Sequence, residues 1–434
     1  MWNMTTSPTR LLVIGGGTAG TMVANRVHKV LPEWEVTLVD RDDVHDYQPG
    51  YLFMPFGMNT PEQIRRSARH FIAPATTIVT GEVERVDADG HRVVLEDGTV
   101  LDYDHLVIAS GTTPRPDQTP GMLGEGWHRS VNEFYTYDGS LALRDNLAAF
   151  EGGRLVVHIT ELPIKCPVAP LEFTFLADDW LRQHGLRERT ELVFVTPLDG
   201  AFTKPVASRE LGRALEERGI SVETDFMVES VDQEAKVLRS YDEREVPYDL
   251  LVSVPLNMGA DFVERSGLGD ELNYVTVDKH TMQYVPQAGR DPHPEIFALG
   301  DAANLPTSKA GSVAHFSVDV FIDNLVQLAH GTVMTHSFDG HANCFVESGH
   351  GKALLLDFNY ETEPLTGTFP FPGVGPLQLL KESRFNHLSK LAFRHIYWNA
   401  LLPGRPLGLP PQMSMAGKHP EHPMADASAS LRED

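Results

Sequence analysis

Cys166 and Cys344 are the only cysteines among 434 residues. A thiolate attacks disulfide sulfurs and is polarisable enough to give charge to an electron acceptor. Two cysteines cannot frame a disulfide scaffold for a chain this long. They are either inert buried thiols or a redox pair. The first stands in "ELPIKCPVAP", residues 161–170, directly after the strand-like "RLVVHI". The second stands in "GHANCFVESGHGKALLLDF", residues 340–358.

The elements that would position these thiols begin near the N-terminus. "RLLVI" is a short apolar strand, "GGGTAG" carries Gly-x-Gly-x-x-Gly at Gly15, Gly17 and Gly20, and "TMVANRVHKV" has helical spacing. "EVTLVD" is then a second strand ending on Asp40. Strand, glycine loop, helix, strand and terminal acid together define a dinucleotide-binding unit. The glycines let backbone approach a pyrophosphate at a helix N-terminus, and Asp40 is placed to accept hydrogen bonds from a ribose diol.

The net charge of −24 argues against a nucleic-acid partner. No apolar run is long enough to span a bilayer, and "MWNMTTSPTR" lacks the apolar core of a signal peptide. The expected location is therefore the cytoplasmic side. The length predicts two or three domains.

Two later segments bear on the nucleotide. "LDYDHLVIASGTTPR", residues 101–115, is a strand ending in a turn at Gly111; "PEIFALGDAANLPTSKAGSVAHF", residues 294–316, is a strand, then Gly300-Asp301, then a helix. These resemble motifs of the flavoprotein disulfide reductase superfamily. The resemblance implies FAD, with Asp301 on its ribityl chain. The helix N-terminus would face the flavin pyrimidine, and Lys309 would help stabilise anionic reduced flavin.

The superfamily also implies an α/β architecture of two Rossmann-like folds, the second inserted in the first. "RLVVHI", "PLEFTFLADDWLRQHG" and "ELVFVTP" supply that second fold, but its glycine loop is missing. "TELPIKCPVAP" has no glycine, and Pro163, Pro167 and Pro170 make a poor phosphate cradle because proline lacks an N–H. "ELVFVTP" ends without a ribose-binding acid. The expectation is a lost nicotinamide site. By the superfamily's architecture this loop faces the flavin, so Cys166 stands where nicotinamide would sit.

Together these features resemble the sulfide:quinone oxidoreductases, and the related flavin subunit of flavocytochrome c sulfide dehydrogenase. The most specific stretches are "KCPVAPLEF", "LPTSKAGSVAHF" and "CFVESGHGKALLLDF". The resemblance implies that Cys166 and Cys344 form the redox pair and that Glu172 falls on a family acid. HS⁻ would attack the joined cysteines and leave a persulfide; the freed thiolate would pass electrons to FAD, and Glu172 would take a proton. Glu172 is otherwise an acid complementing a helix N-terminus. The third cysteine of many bacterial members is absent from "WHRSVN", as in the two-cysteine branch, and "PLDGAFTKPVAS" offers no match to a family histidine. The alternatives are a flavocytochrome c-type subunit, a type II NADH:quinone reductase-like flavoprotein, or a non-catalytic flavoprotein.

The acceptor is read from residues 376–405. Leu377, Leu380, Leu388, Leu391, Ala392 and Ile396 recur at helical spacing, and Lys381, Arg384, Lys390, Arg394 and Arg405 face one acid, Glu382. Phe385, Phe393, Tyr397 and Trp398 add aromatics. The pattern predicts an amphipathic helix lying on an anionic membrane surface, with quinone drawn from the lipid. Expected partners are thus sulfide, membrane quinone, the membrane surface, a second copy of the chain in a homo-oligomer, and a sulfur acceptor that is sulfide, polysulfide or a small thiol. The expected domains are 9–112 and 248–330 for the FAD fold, 113–247 for the inserted fold, 331–405 for a C-terminal domain, and 406–434 for a disordered tail. No metal site is expected.

Overall fold

The run "RLLVI" becomes the strand Arg10–Ile14, with Leu11, Leu12, Val13 and Ile14 all buried. A strand apolar on both faces belongs inside a parallel sheet covered on both sides. The sheet runs Ile296–Ala298, His105–Ile108, Arg10–Ile14, Glu35–Asp40, Thr77–Thr80, with every neighbouring pair parallel. Its edge strand Ile296–Ala298 arrives only after the inserted fold. The helices Thr18–Val30 and Gly311–Ala329 pack against each other beside it. The structure, a computed structural model, describes residues 8–419.

A second parallel sheet runs Val131–Asn132, Leu250–Val254, Gly153–Ile159, Thr190–Val195, Ser221–Glu223. The helix Ala169–Gln183 follows its central strand Gly153–Ile159, as a helix follows Arg10–Ile14 in the first fold. The boundary expected at residue 247 lies too early. Leu250–Val254 is wholly buried and pairs with Gly153–Ile159, so it is an inner strand of the second sheet. The return crosses at Asn257–Met258, which pairs antiparallel with Thr113–Pro114 on the outward crossing.

The C-terminal region holds a mixed sheet in the order Ala342–Gly349, Lys352–Phe358, Gly375–Leu379, Thr366–Phe371, Lys418–His419. Here the helical pattern expected from residue 376 fails at its start. Leu377 lies in the strand Gly375–Leu379, which forms a hairpin with Thr366–Phe371, and Leu380 follows that strand. The helix begins at Arg384, where the Ser383 side chain accepts a hydrogen bond from the Asn386 N–H, and runs to Ile396 before a π turn at Tyr397–Leu401. The disorder expected from residue 406 does not hold for 406–419. Lys418–His419 adds a strand to the sheet, and Lys418 forms a buried ion pair with Asp357. The rest of that expected tail, 420–434, lies outside the described residues.

Candidate active site

The three regions meet around one cavity of about 1430 Å³. Small-ligand pockets usually measure about 300–1,000 Å³, so this one has room for a dinucleotide and a second molecule. Gly15, Gly17, Asp40, Gly111, Gly300, Asp301 and Lys309 all line it. Cys166 and Glu172 enter from the inserted fold, and Cys344 from the C-terminal sheet.

The first fold supplies a cradle. The helix Thr18–Val30 has no side-chain cap at its start, and neither has Gly311–Ala329, so the N–H groups of both first turns are free for a ligand. A Cβ on Gly17 would meet nothing within 4 Å, whereas one on Gly20 would lie 1.9 Å from the Gly15 carbonyl oxygen. Gly17 thus faces the cavity, while Gly20 lets the helix lie against the strand and does not line it. Asp40 Oδ2 accepts from the Gly16 N–H at 2.6 Å and Oδ1 from the Arg41 N–H at 2.7 Å, which anchors the acid beside the loop. Burial raises its pKa. Below the loop, His45 bonds the Gly16 carbonyl at 2.9 Å and the Tyr397 hydroxyl at 2.6 Å. Burial holds this histidine down at about 4.

Asp301 is also raised by burial, against the pull of Lys309 and Lys165. The Lys309 ammonium donates to the carbonyls of Asp301 at 2.9 Å and Ala303 at 3.0 Å, and lies 3.6 Å from the Tyr274 ring centre. Burial lowers it to about 8. The cradle fits FAD: uncapped helix starts for the pyrophosphate, an anchored acid for the ribose, and a lysine-backed turn at Gly300-Asp301.

The second fold's loop is of another kind. Cys166 sits in the left-handed backbone region at φ +49°, a conformation that costs a non-glycine residue about 1–3 kcal/mol. Its N–H donates to the Lys309 carbonyl at 2.5 Å, and its carbonyl accepts from the Ala169 N–H at 2.8 Å and the Tyr135 hydroxyl at 3.2 Å. The loop is therefore tied to the first fold by the same segment that carries Lys309. Cys344 lies on Ala342–Gly349 opposite Leu356. Both thiols are free, Cys344 buried and Cys166 partly open.

Burial first, and then Glu172, push both thiols up, Cys344 to about 12; Lys390 pulls the other way. Glu172 itself is completely buried in the first turn of Ala169–Gln183. Its Oε1 accepts from the Glu347 N–H at 2.7 Å and is ion-paired with Lys390, while Oε2 has no partner among the described residues. Burial outweighs the lysine and raises this carboxyl to about 7. It can therefore take or give a proton near neutrality, beside two thiols that must lose theirs to react.

Three residues of this neighbourhood escape the sequence reading. Lys390 counts there as part of a basic membrane face, yet it is the partner of Glu172. Glu347 and His387 pass unnoticed; His387 Nδ1 lies 2.8 Å from Glu347 Oε2, and the Glu347 main chain touches Glu172. The available signal was physical: an acid inside an apolar helix start demands a cation. Other parts of the expected membrane face are also internal. Arg394 bonds Asn59 and Gln63, and Tyr397 and Trp398 are core residues. What stays exposed is Phe385, Leu388 and Ile396 on the helix, Phe371 and Val374 on the hairpin, and the expected basic residues Lys381, Arg384 and Arg405. Phe369, Leu377, Phe385, Phe393 and Ile396 line the cavity there.

The chain thus places a phosphate cradle in one parallel fold and a thiol loop in the other, the arrangement of a two-domain flavoprotein oxidoreductase. The pyridine nucleotide-disulphide oxidoreductase family matches residues 9–156. Over nearly the whole length, the chain is a homologue of sulfide:quinone oxidoreductases. It is 27% identical over 407 residues to the mitochondrial enzyme of Dictyostelium discoideum, covering 92% of this chain and 87% of that protein. It is 25% identical over 402 residues to the mitochondrial enzyme of Mus musculus, covering 91% and 86%. The sulfide:quinone oxidoreductase structure from Aquifex aeolicus shares the fold, with a TM-score of 0.77 at 18% identity over 92% of each chain.

Proposed function

We propose that this protein oxidises sulfide to sulfane sulfur and passes the electrons through FAD to a membrane quinone. The observation that carries this reading is the cavity itself. A flavin cradle and both thiols open into it, and the loop that would hold a nicotinamide phosphate is instead Pro-rich and bonded to the first fold.

Cys166 and Cys344, free thiols in this structure, would be joined in the oxidised resting enzyme, directly or through a bridging sulfur; HS⁻ would attack that link, one sulfur–sulfur bond forming as another breaks, and leave a persulfide on one cysteine and a thiolate on the other. Gly15, Gly17, Asp40, Gly300 and Asp301 would hold FAD, which would supply two-electron redox chemistry between the thiols and quinone. Glu172 takes the proton of the incoming nucleophile, a role worth about 10²–10⁴-fold. Lys390 keeps its charge beside Glu172, because both Glu172 and Glu347 raise it against burial. The sulfane sulfur leaves to sulfide, polysulfide or a small thiol. Support for quinone entry comes from the exposed apolar face of Arg384–Ile396 and the 366–379 hairpin, which border the same cavity and suit a lipid surface. Among the described residues no helix is long and apolar enough to cross a membrane, so attachment through this face would be peripheral.

The test is anaerobic. Sulfide bleaches the flavin band, decyl-ubiquinone restores it, and NADH does nothing. Bleaching by NADH and not by sulfide overturns the reading in favour of a nicotinamide enzyme.

A further inference from the structure

The reaction just described consumes a proton. HS⁻ + quinone + H⁺ gives zero-valent sulfur and quinol, with two electrons leaving sulfide and entering quinone. The inference rests on that reading for the need, and on the structure for the path. Glu172 and Lys390 reach the cavity, but Glu172 is sealed from solvent and the Lys390 side chain is only 11% exposed.

We propose that His387 and Glu347 form the route by which protons pass between solvent and the Glu172–Lys390 pair. His387 lies one helical turn before Lys390 on Arg384–Ile396, and its Nδ1 is 2.8 Å from Glu347 Oε2. Glu347 lies three residues after Cys344 on Ala342–Gly349, and its main-chain N–H holds Glu172 Oε1 at 2.7 Å. Neither His387 nor Glu347 lines the cavity. Exposure rises outward along the chain of contacts: none for the Glu172 and Glu347 side chains, 14% for that of His387.

The unsatisfied atoms support transport over mere packing. Glu172 Oε2 and Glu347 Oε1 are buried acceptors with no partner among the described residues. A structural ion pair gains by closing both, since an unmet buried acceptor costs about 1–3 kcal/mol. Open oxygens on two buried carboxylates, one of which raises the other's proton affinity through its charge, are places where a proton can rest. The titratable groups facing Glu172 are Lys390, Glu347, Tyr47, Tyr135 and the two thiols. Glu172, raised to about 7, exchanges its proton in the range where the enzyme would work.

The experiment uses the full FAD-loaded protein. His387→Ala slows quinone-driven reoxidation by about 10²-fold, the low end for a positioned acid–base group, and more than it slows sulfide-driven bleaching. Added imidazole restores the rate, and proton uptake, followed with an indicator dye in weak buffer, slows in parallel. Reoxidation at the wild-type rate, or a loss that imidazole does not rescue, overturns the proposal. A second measurement needs no turnover. The infrared carboxyl band of Glu172, assigned with Glu172→Gln, shifts its titration midpoint in Glu347→Gln; an unmoved midpoint also overturns the route. If wild type is not bleached by sulfide, the functional reading fails, while this titration still decides whether the path exists.

Discussion

The glycine loop after Arg10–Ile14 and the cysteine loop after Gly153–Ile159 occupy the same place in two copies of one topology. Both leave the C-terminal end of a central parallel strand and enter a long helix. The first is shaped for close approach: Gly17 presents no side chain to the cavity, and the helix start is uncapped. The second is shaped for reach. Its prolines remove donors, its Cys166 N–H is spent on Lys309, and a strained backbone aims a thiol into the cavity. On the proposed function, one topology would serve an anion with backbone donors in one place, and an electron pair with a side chain in the other.

The sharpest way to break this contrast is to remove the thiols. Cys344→Ser retains FAD and loses sulfide-driven bleaching down to the background rate. Cys166→Gly loses it equally, while keeping wild-type or higher thermal stability, because glycine relieves the positive φ. NADH stays inert in both variants, since neither restores a phosphate cradle. Sulfide bleaching in either variant would erase the distinction drawn between the loops.

The next effect falls on the glycine loop. Gly20→Val drives a side chain into the Gly15 carbonyl, displaces the helix and yields protein without a flavin band; the cost exceeds the usual 1–3 kcal/mol or so of overpacking. Gly17→Ala, with open space at its Cβ, folds normally and holds FAD more weakly. Flavin content against melting temperature separates the two. Glu172→Gln bears on the other loop, keeping FAD and slowing sulfide oxidation by about 10²-fold.

The smallest effect is a pair of opposite pH slopes. His45, under the glycine loop, falls from 6.5 to about 4 on folding. The unfolded chain binds its proton more readily, so its contribution is present above pH 6.5 or so and lost as pH falls towards about 4. Glu172, behind the cysteine loop, rises from 4.5 to about 7. Its contribution is present below pH 4.5 or so and lost as pH rises through about 7. The two windows overlap, so the opposite slopes largely cancel in wild type and are separated by the variants, each on the order of 1 kcal/mol or more. Urea unfolding of Glu172→Gln should show stability rising with pH between about 4 and 6.5, and that of His45→Gln stability falling between about 4.5 and 7.

Much of the architecture was legible because its signals are local. Gly15, Gly17 and Gly20 between an apolar strand and a helix admit few structures, and the proline-rich run around Cys166 could be read as a lost cradle without coordinates. The C-terminal helix was legible only in part. Leu377 and Leu380 match the helical spacing of Leu388 and Ile396 by number alone, but a hairpin partner claims the strand that contains Leu377 and ends just before Leu380. Tyr397 and Trp398 read as interfacial, yet His45, Tyr47 and Phe71 enclose them.

The sequence by itself determined the two nucleotide folds, the chemistry of their loops and the identity of the two thiols, because each depends on residues adjacent along the chain. Only the tertiary structure decided what surrounds the thiols. Cys166 and Cys344 share a cavity because the C-terminal sheet closes over the inserted fold, and Lys390 meets Glu172 across 218 residues of chain. Charges that far apart in sequence carry no pattern in the sequence itself. Their pairing follows from the cost of burying either one alone, and that cost exists only once the fold has taken both out of water.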